Sequence, residues 1–184
     1  MKTKSKLMGV VYFIIITLAL FIIIRNFITQ PFIVRGLSMY PTFSSGDFVY
    51  TDRLSYRLSS GPSRSDVIIF QHPRDSIRLI KRVVGLPNET ITIEKDGSIK
   101  VASDEVDSFR LDEPYVNSLA ASTNTRTFVL DEDEYFVLGD NRLESMDSRD
   151  WGPLKKDLII GRVVFRLFPL KDIDILPGEY NIES

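Results

Sequence analysis

Residues 76–87 read SIRLIKRVVGLP, and their alternation decides the class of fold. In an extended strand, Ile77, Leu79, Lys81 and Val83 share one face, while Arg78, Ile80, Arg82 and Val84 share the other. The β-branched residues favour a strand, and Gly-Leu-Pro ends it. Stretches of the same character lie on both sides: FIVRG (32–36), DFVYTDR (47–53), DVIIFQH (66–72), TITIEKDGSIKV (90–101), TRTFVL (125–130), EYFVLGD (134–140) and IIGRVVFRLF (159–168). Each is short, rich in Val, Ile, Phe and Tyr, and bounded by Gly, Pro, Asp or Ser. Lys95-Asp96-Gly97-Ser98 between two alternating runs signals a hairpin turn. The expected domain is mainly β.

Lys81 is the only charge on its face of that strand. Between Leu79 and Val83 its ammonium form loses hydration, which lowers its pKa and makes it a candidate general base. Being mostly neutral at pH 7 requires a drop of ~3 units, or ~4 kcal/mol, which only substantial burial supplies. The other reading is a stem lying on apolar surface with its amine in water. Ser38, in GLSMYPT (36–42), is likewise open to two readings: a turn serine bonding its neighbours, or a nucleophile. Gly36 lets backbone amides approach a substrate closely, as an oxyanion site requires, and Pro41 stiffens the turn. A third cluster, GDNRLESMDSRDWG (139–152), leaves the strand EYFVL with unusual polarity. As a solvated turn it needs Asp140, Asn141 and Ser148 for backbone donors and Asp147 paired with Arg149. If a neutral lysine must be aimed at a serine, the Ser145 hydroxyl can orient it.

Composition narrows the chemistry further. The 184 residues are 43% hydrophobic and 26% charged, with no cysteine and one histidine, His72. Disulfides, thiolate sites and histidine-rich metal sites are thereby excluded, and a Ser-His-Asp mechanism would rest on His72 alone. No metal or other cofactor is expected. Net charge is −2, but −5 once Lys2, Lys4 and Lys6 are set aside. Residues 88–133 hold 11 acids against 4 basic side chains and read as an inserted subdomain, with SLAASTNT (118–125) as an exposed loop. Nothing resembles a nucleic-acid-binding surface.

Residues 7–24, LMGVVYFIIITLALFIII, are 18 consecutive uncharged positions, about 27 Å as a helix and close to a bilayer core. The run is longer than a secretory signal's apolar region and lacks small residues at a cut site, so it reads as an uncleaved transmembrane anchor. Three lysines precede it, which places residues 1–6 in the cytoplasm and residues 25–184 on the outer face. Ser38 then stands within about 50 Å of the membrane exit.

Taken together, the chain resembles the type I signal peptidases, membrane-bound serine proteases of the bacterial plasma membrane. GLSMYPT matches the family's serine box, GDFVY (46–50) the short strand box, IKRVVGLPNE (80–89) the lysine box and GDNRLESMDSRDWG the last box, in the family's order behind one anchor. The resemblance implies a signal-peptidase-like β-sheet catalytic domain in which Ser38 is the nucleophile and Lys81 the general base. It further implies that Ser145 orients Lys81, Asp147, Arg149 and Asp140 support the turn, and Gly36 contributes backbone to the oxyanion site. Some relatives carry a serine at the position of Gly36, and many carry glycine and aspartate where this chain has Asn88 and Glu89. The implied partners are signal peptides of exported preproteins, cut after small residues of the Ala-x-Ala type, and plasma-membrane lipid. Ile33, Val34 and Met39 are expected to touch substrate because they adjoin Ser38. A catalytically silent, membrane-anchored module of the same fold is the competing reading, and the intact Ser38, Lys81 and Ser145 weigh against it.

Overall fold

The computed structural model describes residues 2–23, 29–58, 61–104 and 107–180. After the helix α1 (Lys2–Ile23) the chain is built mainly of strands: β1 (Thr29–Ile33), β2 (Phe48–Asp52), β3 (Val67–Gln71), β4 (Arg78–Gly85), β5 (Thr90–Ile93), β6 (Ile99–Ala102), β7 (Phe109–Arg110), β8 (Arg126–Val129), β9 (Glu134–Leu138), β10 (Leu154–Lys155), β11 (Ile159–Phe168) and β12 (Asp174–Ile175). Two single-turn helices, α2 (Ser55–Leu58) and α3 (Ser148–Trp151), sit between them.

An eight-stranded sheet runs β1-β2-β11-β3-β4-β9-β10, with β12 beside β11. Its centre is covered on both faces. In β3, Val67 and Ile69 join Val34, Met39, Phe43, Val49, Ile80 and Val163 in one cluster, while Ile68 and Phe70 join Val83, Tyr135, Val137 and Leu154 in another. The alternation read in β4 is seen there too, since Ile80 enters the first cluster and Val83 the second. The antiparallel pairing Ile68↔Lys81 and Val83↔Val137 holds β4 in the middle of the sheet.

A second sheet, β7-β6-β5-β8, draws all its strands from within residues 88–133. It shares a third cluster with the first sheet, in which Ile91, Ile93, Ile99, Val101, Leu111 and Leu130 pack on Val84, Phe136 and Leu138. Its hairpin turns at residues 94–98, where the Asp96 carboxylate accepts from Ser98 N at 2.9 Å. Residues 121–125 are exposed.

Two sequence expectations need adjustment. FIVRG is not a strand as such: β1 lies earlier, and beyond Ile33 the backbone leaves β2 to exchange bonds with the 46–47 turn, Val34 N to Asp47 O and Gly46 N to Val34 O, both at 2.9 Å. The anchor read over 7–24 falls largely on α1, whose side chains from Met8 to Leu20 are all exposed. Its remaining part, residue 24 and the side chains of 7 and 21–23, lies outside the described residues. Among the described residues no helix is long and apolar enough to cross a membrane.

Candidate active site

Ser38 is carried on the turn that follows β1, and Lys81 projects from the centre of β4. Lys81 Nζ donates to Ser38 Oγ at 2.6 Å. The lysine is 2% exposed. Burial lowers its pKa from the ordinary 10.5 to about 8, against the carboxylates of Asp147 and Asp140, which raise it, and with a smaller lowering by the Arg149 cation. Burial thus moves the amine toward the range in which its free base becomes accessible near neutral pH.

The 139–152 turn is laced to the serine turn. Asn141 N donates to Ser38 O at 3.0 Å, and Asn141 Nδ2 to Leu37 O at 3.2 Å. Asp147 accepts from Gly139 N at 3.0 Å and from Arg149 Nε and Nη2, each at 2.8 Å. Arg149 Nη2 also donates to Ser145 O at 3.2 Å. Asp147 caps α3, with Asp150 closing a reciprocal capping box. Ser145 Oγ is buried without a hydrogen-bond partner among the described residues, so no bond from it to Lys81 is formed.

Asp140 is 1% exposed and accepts from Arg82 Nε at 2.9 Å, Arg82 Nη2 at 2.6 Å and Thr42 Oγ1 at 2.6 Å. Alternation alone did not reveal the partner, Arg82, which is 0% exposed. The signal was present, because adjacent Lys81 and Arg82 in a strand must point to opposite faces, and both faces of this strand are buried. Gly139 was also missed. A Cβ there would collide with the Ser145 hydroxyl and the Ser38 carbonyl. We therefore expect Gly139→Ala to cost about 1–3 kcal/mol through overpacking and to lower cleavage at least tenfold, measured by thermal melting and peptide hydrolysis at one temperature.

A cleft of about 100 Å³ opens beside the pair, with Phe32, Ile33, Val34, Ile69, Leu79 and Ile80 among its walls. Ile33 is exposed there, whereas Val34 is 5% exposed. Met39 is corrected: it is 1% exposed and packs into the core with Phe43 and Val49 rather than lining the cleft, because the turn after Ser38 folds inward. Gly36 is exposed at φ +87°, a conformation that favours glycine, with open space where a side chain would stand. His72 lies away from the cleft lining, its ring edge-on to Trp151 with centroids 4.7 Å apart.

A serine hydroxyl held by a buried, pKa-lowered lysine on a β scaffold is the arrangement of a serine hydrolase. The chain belongs to the signal peptidase family, peptidase S26, whose model matches residues 7–168, and it is a serine endopeptidase of the type I group. It is 38% identical to signal peptidase I of Bacillus caldolyticus over 158 residues, covering 80% of this chain and 84% of that one. Signal peptidase I P of Bacillus subtilis subsp. natto is 33% identical over 177 residues, covering 94% of each chain. A crystal structure of a signal peptidase I from Enterococcus faecalis V583 is 32% identical, covers 55% of this chain and 95% of that one, and gives a TM-score of 0.45.

Proposed function

We propose that the protein removes N-terminal signal peptides from exported preproteins by a Ser38/Lys81 dyad. The 2.6 Å contact between Lys81 Nζ and Ser38 Oγ carries this reading. In the neutral form the lysine lone pair receives the Ser38 proton as Ser38 Oγ attacks the scissile carbonyl. The lysine then returns the proton to the leaving amine, leaving an acyl-enzyme on Ser38. Water deprotonated by the same amine hydrolyses that ester and regenerates the serine. The backbone of the Gly36–Ser38 turn stabilises the oxyanion, Asp147, Arg149 and Asp140 hold the facing turn, and Ser145 Oγ, buried and unbonded at rest, supplies an acceptor for the lysine amine.

An extended peptide lying along residues 32–35 would present alternate side chains to the cleft. Its small apolar volume, walled by Ile33, Val34, Leu79 and Ile80, favours side chains such as alanine. Residues 7–24 anchor the chain in the plasma membrane, with residues 1–6 in the cytoplasm and the catalytic domain outside. Ile33 of β1, Phe168 of β11 and Ile175 of β12 are exposed, as are Leu170 and Ile173 between the last two strands, which suits a domain lying against lipid.

The test is cleavage of a purified preprotein bearing an Ala-x-Ala site, in detergent or lipid, by the native chain and by Ser38→Ala. Only the native chain should release the mature protein at that bond. Equal cleavage by both would exclude Ser38 as the nucleophile, and cleavage by neither would favour the silent module. Because the dyad uses only side chains, adding EDTA should leave the native rate within twofold; a larger loss would implicate a metal.

A further inference from the structure

The insert carries a buried acid that the cleavage chemistry does not use. Glu113 lies between β7 and β8, and its side chain is 5% exposed. Both its oxygens face Arg142, which is itself 3% exposed in side chain: Arg142 Nη1 donates to Glu113 Oε2 at 3.0 Å, and Nη2 makes a shorter bond to Oε1. Tyr115, also from the insert, donates its hydroxyl to Glu113 Oε1 at 3.0 Å.

The two residues that Glu113 gathers both lead to the nucleophile. Arg142 Nε donates to Gly139 O at 3.1 Å, and Gly139 is packed directly against the Ser38 carbonyl and the Ser145 hydroxyl. The Tyr115 ring lies under the Arg82 guanidinium, 4.0 Å from carbon to centroid. Arg82 holds Asp140, which takes the Thr42 hydroxyl from the far end of the serine turn. A second grip comes from the same insert, where Arg126 of β8 donates to Arg149 O at 2.5 Å. A surface ornament would need no buried charge pair, whose formation requires both ions to be desolvated.

We infer that Glu113 is a positioning residue through which the insert fixes the 139–149 turn, and with it the attack geometry of Ser38; this rests on the reading of Ser38 as nucleophile. A misplacement of about 1 Å at a reacting atom can cost on the order of 10²-fold in rate. The effect belongs in kcat, since Glu113 lines no part of the cleft.

The decisive variant is the full chain carrying Glu113→Leu and Arg142→Met together, because replacing a buried pair with apolar side chains preserves stability while removing the bond to Gly139 O. It should melt within a few degrees of the native chain, cleave an Ala-x-Ala peptide with kcat at least tenfold lower, and keep KM within twofold. Glu94→Gln, which breaks the half-exposed pair with Lys100 elsewhere in the insert, should leave both constants unchanged. If the double variant fails to fold, Glu113→Gln assayed well below its own melting midpoint decides by the same criteria. Native kcat in the folded variant, or an equal kcat loss in Glu94→Gln, overturns the role of Glu113. Undiminished cleavage by Ser38→Ala in the same assay instead overturns the reading of the site, and this inference with it.

Discussion

Lys81→Met is expected to lower cleavage roughly 10²–10⁴-fold, the range for a lost general base, and to make the folded domain more stable. The two effects share one cause. Burial depresses the lysine from 10.5 to about 8, so between those values the unfolded chain holds the proton and the folded chain releases it. Stability therefore rises with pH across that window. Below pH 8 the full penalty, about 3 kcal/mol, is present, and above 10.5 it vanishes. Methionine has similar length and carries no charge, so it removes the penalty at the loss of one hydrogen bond to Ser38, about 1 kcal/mol. Melting at pH 7 should show a net gain of about 1–3 kcal/mol that falls as pH rises and becomes a loss of about 1 kcal/mol near pH 11, where only the missing hydrogen bond counts. A variant that is inactive because it is damaged would melt lower, which would sink this account. In the native chain, kcat/KM should climb with pH toward a plateau above about 8 as Lys81 loses its proton; a flat profile through pH 5 would assign the base to another group.

Stabilisation by loss of a functional side chain is what a catalytic residue strained against its surroundings should give. It also marks the limit of what alternation can reveal. The pattern Leu79-Lys81-Val83 located the lysine on an apolar face, but its desolvation comes from distant chain: from β3 and β9 on either side and from the serine turn, 43 residues away. The same holds for Met39. Its position next to Ser38 implied contact with substrate, yet the inward course of the turn commits it to the core with Phe43 and Val49. Strands were legible where Val, Ile, Phe and Tyr filled a stretch of four or more residues between turn signals. Two-residue β7, β10 and β12 carry too little pattern to be seen, and α3 depends on Asp147 capping a turn that looked merely polar. Ser145 was legible as a hydroxyl of the right box, but the direction of its side chain was not. That direction depends on Gly139, whose missing Cβ makes room for it.

Asp140→Ala is expected to destabilise the domain by about 3–5 kcal/mol, because it strands the Arg82 guanidinium, fully buried, without its counterion. Against a typical total of about 5–15 kcal/mol, that fraction is enough to lower the melting temperature steeply. Arg82 keeps its bonds to Ser65 O, at 3.0 Å, and to the Gly178 carbonyl, but these neutral acceptors offset only part of an uncompensated charge. Thr42 loses its acceptor as well, so the far end of the serine turn loosens. Cleavage should therefore fall even at temperatures where the variant remains folded. The pair Asp140→Leu with Arg82→Met separates the two consequences. With both charges gone, most of the stability should return, since apolar replacements of a buried pair are often neutral or better. The rate should not recover, because the Thr42 hydroxyl still lacks its acceptor and only the Arg166 bond to the Thr42 carbonyl, at 2.7 Å, remains. Denaturant titration beside single-temperature kinetics distinguishes these outcomes. Recovery of both together would reduce the ion pair to a purely structural part, whereas recovery of stability alone ties Asp140 to the geometry of the nucleophile.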